Sequence, residues 1–248
     1  MRKIVLILSV VFLFLGCDQP GDCVKSTGVM TSKVVDVPLF EKVIVYKGIA
    51  LVISQGPEFK VEVRTGENLI DDIEVKVTDK TLTLQDNTTC NWVREYGETT
   101  IYIMAPNLTD IYSKTEKNIV SQGIITFPNL RLVAMDLYDT YPGTGTGDYI
   151  FEVDNENLIL ECNTLSKFTL TGKTNNLGIS VYESGSIIDT RNLTSKNIHL
   201  YHRGSNNMYV RPVEAITGDI YNIGNVISQS HPPVVNVVEH YKGKMIFN

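Results

Sequence analysis

The chain is 248 residues long, 43% apolar and 20% charged, with 22 basic residues against 28 acidic ones. That apolar supply is enough for a substantial core, and the acidic balance excludes a nucleic-acid binder, which needs basic residues to neutralise phosphates. Charges stand singly, with no run of five or six, so there is neither a polybasic lipid patch nor an acidic tail.

Residues 1–16 read as an export signal. Arg2 and Lys3 give a positive start, and Ile4 to Leu15 are apolar except for Ser9. That run is too short to cross about 30 Å of hydrocarbon as a helix. Leu13-Phe14-Leu15-Gly16-Cys17 then sets a small residue directly before a cysteine. A lipoprotein signal peptidase cleaves at such a place, which makes Cys17 the expected lipid anchor. Removing the signal leaves 20 basic against 28 acidic residues, a net charge of −8. Residues 17–33 are small and polar and read as a tether. Of the remaining cysteines, Cys23 and Cys90 allow one bridge between tether and loop, while Cys162 reads as a small buried residue in an alternating strand.

From Val34 to Met104 the pattern has period two: Val43-Ile44-Val45, Leu51-Val52-Ile53, Val61-Glu62-Val63, Ile73 to Val77, Leu82-Thr83-Leu84 and Ile101-Tyr102-Ile103. Turn residues separate these short strands, and the one place for a helical turn is Glu67 to Asp72. Beyond Met104 an aliphatic anchor recurs about every twenty positions, at Leu108, Leu130, Leu158, Leu177, Ile198, Ile216 and Val235. A second series follows ten residues behind, at Phe168, Ile187, Met208, Val226 and Met245. A unit that short cannot close a core alone, so successive units must stack. The fold expected is therefore all-β, a right-handed β-helix-like solenoid of stacked coils over 105–248, with a strand-rich section over 34–104. Asparagines recur at coil corners, where their amides can bond from coil to coil. The longest interval, Leu130 to Leu158, contains Tyr141-Pro142-Gly143 through Gly147 and reads as an excursion loop.

The run Ile101 to Ile111, followed by asparagine-aliphatic coils, resembles the bacterial family called putative auto-transporter adhesin, head GIN domain. So does the closing stretch from Val210 to Ile220 and Gly224 to Pro233. The resemblance covers about Val34 to Phe247 and implies a fold of stacked β-coils, often on lipoproteins. It supplies no catalytic residues. Lys114 to Asn118 stands where that family often has a Gly-Ser pair.

No catalytic apparatus is legible. Asp136 and Glu183 share an offset from their anchors, but two coils apart at about 4.8 Å each they stand slightly too far apart for an inverting glycosidase pair. His199 and His202, three apart on a strand, face opposite ways and cannot share a metal. His231 and His240 lack ligand-spaced neighbours. Gly143 to Gly147 is not followed by the lysine and helix of a phosphate loop and reads as a flexible tip. No cofactor or metal is expected. Tyr112, Tyr182, Tyr201, Tyr221 and Tyr241 fall near the ends of first strands, at varying offsets. On one side they would make a contact surface for glycan or a protein partner; strand propensity alone also supplies tyrosines. Trp92 and Tyr141 are further candidates for exposed contact. The expectation is a non-enzymatic, lipid-anchored protein of the cell envelope, at the outer membrane on its periplasmic or exposed side, with a head for adhesion or ligand binding. A structural protein acting through self-association and a carbohydrate-active enzyme are the other two readings. Lys242 and Lys244 on the last coil speak against self-association, because lysines on an edge strand block pairing.

Overall fold

The computed structural model describes residues 27–88, 99–136, 145–183 and 185–248. Cys17, Cys23, Cys90, Trp92 and Tyr141 lie outside them. The chain is all-β, with a 3-10 turn at Ile70–Asp72, inside the stretch the sequence marks for a helical turn. Among the described residues no helix is long and apolar enough to cross a membrane.

The first nine strands are β1 (Met30–Val35), β2 (Lys42–Tyr46), β3 (Ile49–Gln55), β4 (Lys60–Gly66), β5 (Ile73–Thr78), β6 (Thr81–Asp86), β7 (Thr99–Ala105), β8 (Asp110–Lys114) and β9 (Ile119–Ile125). The next nine are β10 (Asn129–Ala134), β11 (Tyr149–Cys162), β12 (Lys167–Val181), β13 (Ile187–His202), β14 (Met208–Val210), β15 (Pro212–Ile220), β16 (Val226–Ser228), β17 (Val234–Glu239) and β18 (Met245–Phe247). Alternation accounts for them: in β7 every second residue is buried, and in β3 Ile49, Leu51 and Ile53 are wholly so. Burying each such side chain stabilises the fold by roughly 1.5–3 kcal/mol.

All eighteen strands belong to one sheet, which doubles back on itself and is nearly closed. Its pairings sort into two ladders. One runs β5, β6, β2, β8, β10, then the second halves of β11, β12 and β13, then β15 and β17. The other runs β1, β4, β7, β3, β9, then the first halves of β11 to β13, then β14, β16 and β18. Every contact is parallel except β5 on β6, β4 on β7 and β1 on β4. One strand from each ladder makes a layer.

The aliphatic anchors stand in register through five successive steps: Leu130 with Leu158, Leu158 with Leu177, then Ile198, Ile216 and Val235. Leu108 is outside that row, buried just ahead of β8, because Arg131 pairs with Asp110. In the second series the core position of β13 is Ile188 and not Ile187: Phe168 pairs with Ile188, which pairs with Met208. Ile187 points outward. At the corner between the ladders Asn157 donates its amide to Asn129 at 2.7 Å, Asn176 to Asn157 at 2.9 Å and Asn197 to Asn176 at 3.2 Å. Each such bond adds about 0.5–1.5 kcal/mol.

Three boundaries differ from the sequence reading. β1 begins at Met30, inside the segment read as tether, and pairs with β4. Met104 is no boundary, since β2 and β3 enter the same two ladders as the coils. They do so out of order: the β2–β3 layer lies between the β6–β7 and β8–β9 layers. The glycine-rich run is only partly a tip. Gly145 and Gly147 are buried, and a Cβ at Gly147 would run into the carbonyl oxygen of Lys117, so glycine is required by close backbone approach.

Candidate functional site

In the first ladder Val181, His202 and Ile220 pair in sequence and point inward. The residue after each must then point outward. Those residues are Tyr182, Arg203 and Tyr221, and His240 follows in the next layer. Their backbone amides donate to the carbonyls of Cys162, Val181, His202 and Ile220, at 2.9, 2.9, 2.8 and 2.8 Å. The layer that offers Arg203 in this row supplies its ring from Tyr201, two residues earlier on the same face.

The result is a continuous aromatic strip. Ring centroids of Tyr182 and Tyr201 are 5.6 Å apart, those of Tyr201 and Tyr221 5.1 Å, and those of Tyr221 and His240 4.2 Å, the last pair parallel to within 1°. Tyr182 is 36% exposed and Tyr221 39%. His240 Nε2 lies 2.7 Å from a carboxylate oxygen of Asp219, which fixes the ring at the end of the strip. Beside the strip, Gly178 pairs with Ile159 and His199, and Ser180 with Glu161 and Tyr201. Two small residues thus stand beside the tyrosines in that layer. A Cβ on Gly178 would touch only Ile159, at 3.7 Å.

Three of the five candidate tyrosines thus meet, and two do not. Tyr112 shares the face but is separated from Tyr201 by Val133, Glu161 and Ser180. Its hydroxyl donates to the Met135 carbonyl at 2.6 Å, and the ammonium of buried Lys114 sits 5.9 Å from its ring. Tyr241 lies one residue past the strip, with Lys242 5.6 Å from its ring. The sequence reading weighs His240 only as a metal ligand and does not single out Arg203. A constant offset of five from the anchors Leu177, Ile198, Ile216 and Val235 returns Tyr182, Arg203, Tyr221 and His240, and is the signal that finds them.

The other candidates stay apart. His199 is exposed and His202 buried, on opposite faces as the alternation requires; His199 Nδ1 contacts the Thr217 hydroxyl at 3.1 Å. His202 Nε2–H donates to the Asn206 carbonyl at 3.1 Å, its Nδ1 has no partner, and burial pushes its pKa down to about 4. His231 stacks on Phe247. Asp136 and Glu183 are both exposed. Cys162 is a buried free thiol, pushed up to about 12 by burial. Among the described residues no group of three His, Cys, Asp or Glu side chains is placed to hold a metal. A groove of about 500 Å³ elsewhere on the sheet is lined mostly by polar residue types, and its Asp154 and Lys173 pair with each other at 3.1 Å.

The molecule is a layered all-β protein with an aromatic strip across consecutive layers. The chain belongs to the family described as putative auto-transporter adhesin, head GIN domain, whose model matches residues 39–232. Three solved structures show the same fold. One described as a putative adhesin from Bacteroides fragilis has a TM-score of 0.79 at 16% identity, covering 90% of this chain and 99% of that one. A putative adhesin from Parabacteroides distasonis has 0.65 at 15%, covering 90% and 99%. A protein from the same species described as a putative lipid binding protein has 0.60 at 13%, covering 89% and 98%. No curated protein matches the chain.

Proposed function

We propose that the chain is a lipid-anchored envelope protein, held at the outer membrane through Cys17, whose head binds glycan and works in adhesion without catalysis. The two parallel ladders are read as the walls of a β-solenoid of the right-handed β-helix type. The strip of Tyr182, Tyr201, Tyr221 and His240 carries this reading. Tyrosines present apolar ring area and a hydroxyl together, the combination that suits sugars and partner surfaces. Here they repeat from layer to layer. The adhesin descriptions of the family and of two neighbours support the same direction.

The test uses cells displaying the full chain, applied to an array of immobilised glycans. Cells bearing the unaltered chain should be retained. Tyr201→Ala should cost at least about tenfold in retention, since it removes the middle ring, and ring–sugar contacts of this kind are worth on the order of 1 kcal/mol or more each. Cys17→Ser should release the chain from the membrane fraction and abolish retention. Unchanged retention with Tyr201→Ala, or membrane association that survives Cys17→Ser, would overturn the respective half of the reading.

A further inference from the structure

The aromatic row is interrupted at one layer by a cation. Arg203 holds the position that Tyr182 and Tyr221 hold in the layers on either side, roughly 4.8 Å from each along the ladder. Its place is fixed by the hydrogen bond from its amide to Val181 and by the Asn222 side chain, which donates to its carbonyl at 3.0 Å. The side chain is exposed.

Of the carboxylates near it two are already engaged, and Glu183, exposed one residue past Tyr182, forms no ion pair with it among the described residues. Asp219, on the next layer, is held by His240 at 2.7 Å. Glu161, on the same face, is held by Arg131, which also reaches Asp110 at 3.3 Å. Arg131 and Arg191 show how arginines with a structural role are held in this protein. The first is clasped between two carboxylates, and the second bonds Asp189 at 2.7 Å and lies 4.0 Å over Tyr209. Among the described residues Arg203 has neither an acidic partner nor a ring beneath it. The exposed Arg203 side chain flanks the tyrosine strip at the layer of Tyr201.

We infer that the strip selects glycans carrying a carboxylate, with Arg203 as the residue that determines specificity. The inference rests on the glycan-binding reading above. A guanidinium offers two parallel N–H donors that match the two oxygens of a carboxylate. The flanking tyrosines then meet the less polar face and the hydroxyls of the same sugar. A neutral sugar would use the tyrosines alone. The chain's acidic balance opposes such a ligand only at long range, because charges beyond about 8 Å are screened at physiological ionic strength.

The experiment measures binding of the full chain in detergent to polygalacturonate and hyaluronan, each beside its fully methyl-esterified form. Esterification removes the charge and leaves the backbone. The free acids should bind about tenfold more tightly than the esters, the scale of one charge-assisted bidentate contact, and added salt should narrow that gap. Arg203→Gln should erase the preference, bringing binding of the free acids down to the level of the esters. Arg203→Lys should restore part of it, and Tyr201→Ala should weaken acid and ester alike. Equal binding of acid and ester, unaffected by Arg203→Gln but lost with Tyr201→Ala, would overturn the inference and leave the glycan reading standing. Failure of both polymers to bind in either form would overturn the inference; failure of the whole glycan array in addition would overturn the reading beneath it.

Discussion

The two ends of the stack are finished differently. At one end the chain reverses direction: β5 lies antiparallel on β6, and β4 then β1 lie antiparallel beyond β7. The core is sealed there, with Val61 and Val63 fully or almost fully buried. The edge strands carry charge, Glu74 and Lys76 on β5 and Lys33 on β1, which discourages further pairing. At the other end β17 and β18 have a strand on one side only among the described residues, and parallel rows that are core elsewhere run out to solvent. Leu177 is 1% exposed, whereas Val235, in the same row, is 47% exposed. Lys242 and Lys244, which the sequence reading sets against pairing at this edge, lie in the corner outside the strands, with Lys244 bound to Glu239 at 2.8 Å. Position in the stack, more than residue type, therefore decides what an aliphatic side chain contributes.

The largest test of that difference is Leu82→Ala. Leu82 is fully buried beneath the sealed end, and truncation should cost about 2–5 kcal/mol, read as a lower denaturant midpoint at unchanged slope. Next comes acidity, which strikes the layers nearer the open end. The folded-state pKa of His202 is pushed down to about 4 from an ordinary value of 6.5, so the unfolded chain binds the proton more readily. Its stability contribution is complete above pH 6.5 and is lost as pH falls toward 4, by up to about 3 kcal/mol. His202→Gln should flatten that part of the pH profile, and a slope that persists in the variant would assign it to other groups. The smallest effect belongs to Val235→Ala, expected within about 0.5 kcal/mol of the unaltered chain. A loss comparable to that of Leu82→Ala would mean that the open end is covered in solution and would dissolve the contrast.

Much of this layout is legible in the sequence wherever pairing partners are about one coil apart. The anchors from Leu130 to Val235 stand at their true register because each lies in an unbroken run of pairs, clear of the irregularities in its strand. Spacing points to Ile187 instead of Ile188 because two adjacent isoleucines fit the alternation equally well. The deciding feature is an extra residue in β13, between the pairs Thr169 with Asp189 and Thr171 with Asn192. No hydrophobic spacing reports such a bulge. The insertion of the β2–β3 layer between two later ones is hidden for another reason: a strand's alternation shows that it has an inner face but not which strands flank it. At the site, the tyrosines draw notice as a residue type, while the row they form is a matter of register, open to a cation and an imidazole as well.

That misplaced layer sets the order in which the chain can assemble. Neighbouring turns of the later layers close loops of about nineteen residues, as Asn157 and Asn176 do, whereas the contact between Gly48 and Glu116 spans 68. The longer closure costs about 1 kcal/mol more in chain entropy. The more telling difference is one of timing. A chain synthesised from its amino end completes β2 and β3 early, yet their parallel neighbours β6, β7, β8 and β9 all follow them. Two apolar strands with both edges open must wait until the later strands have been made.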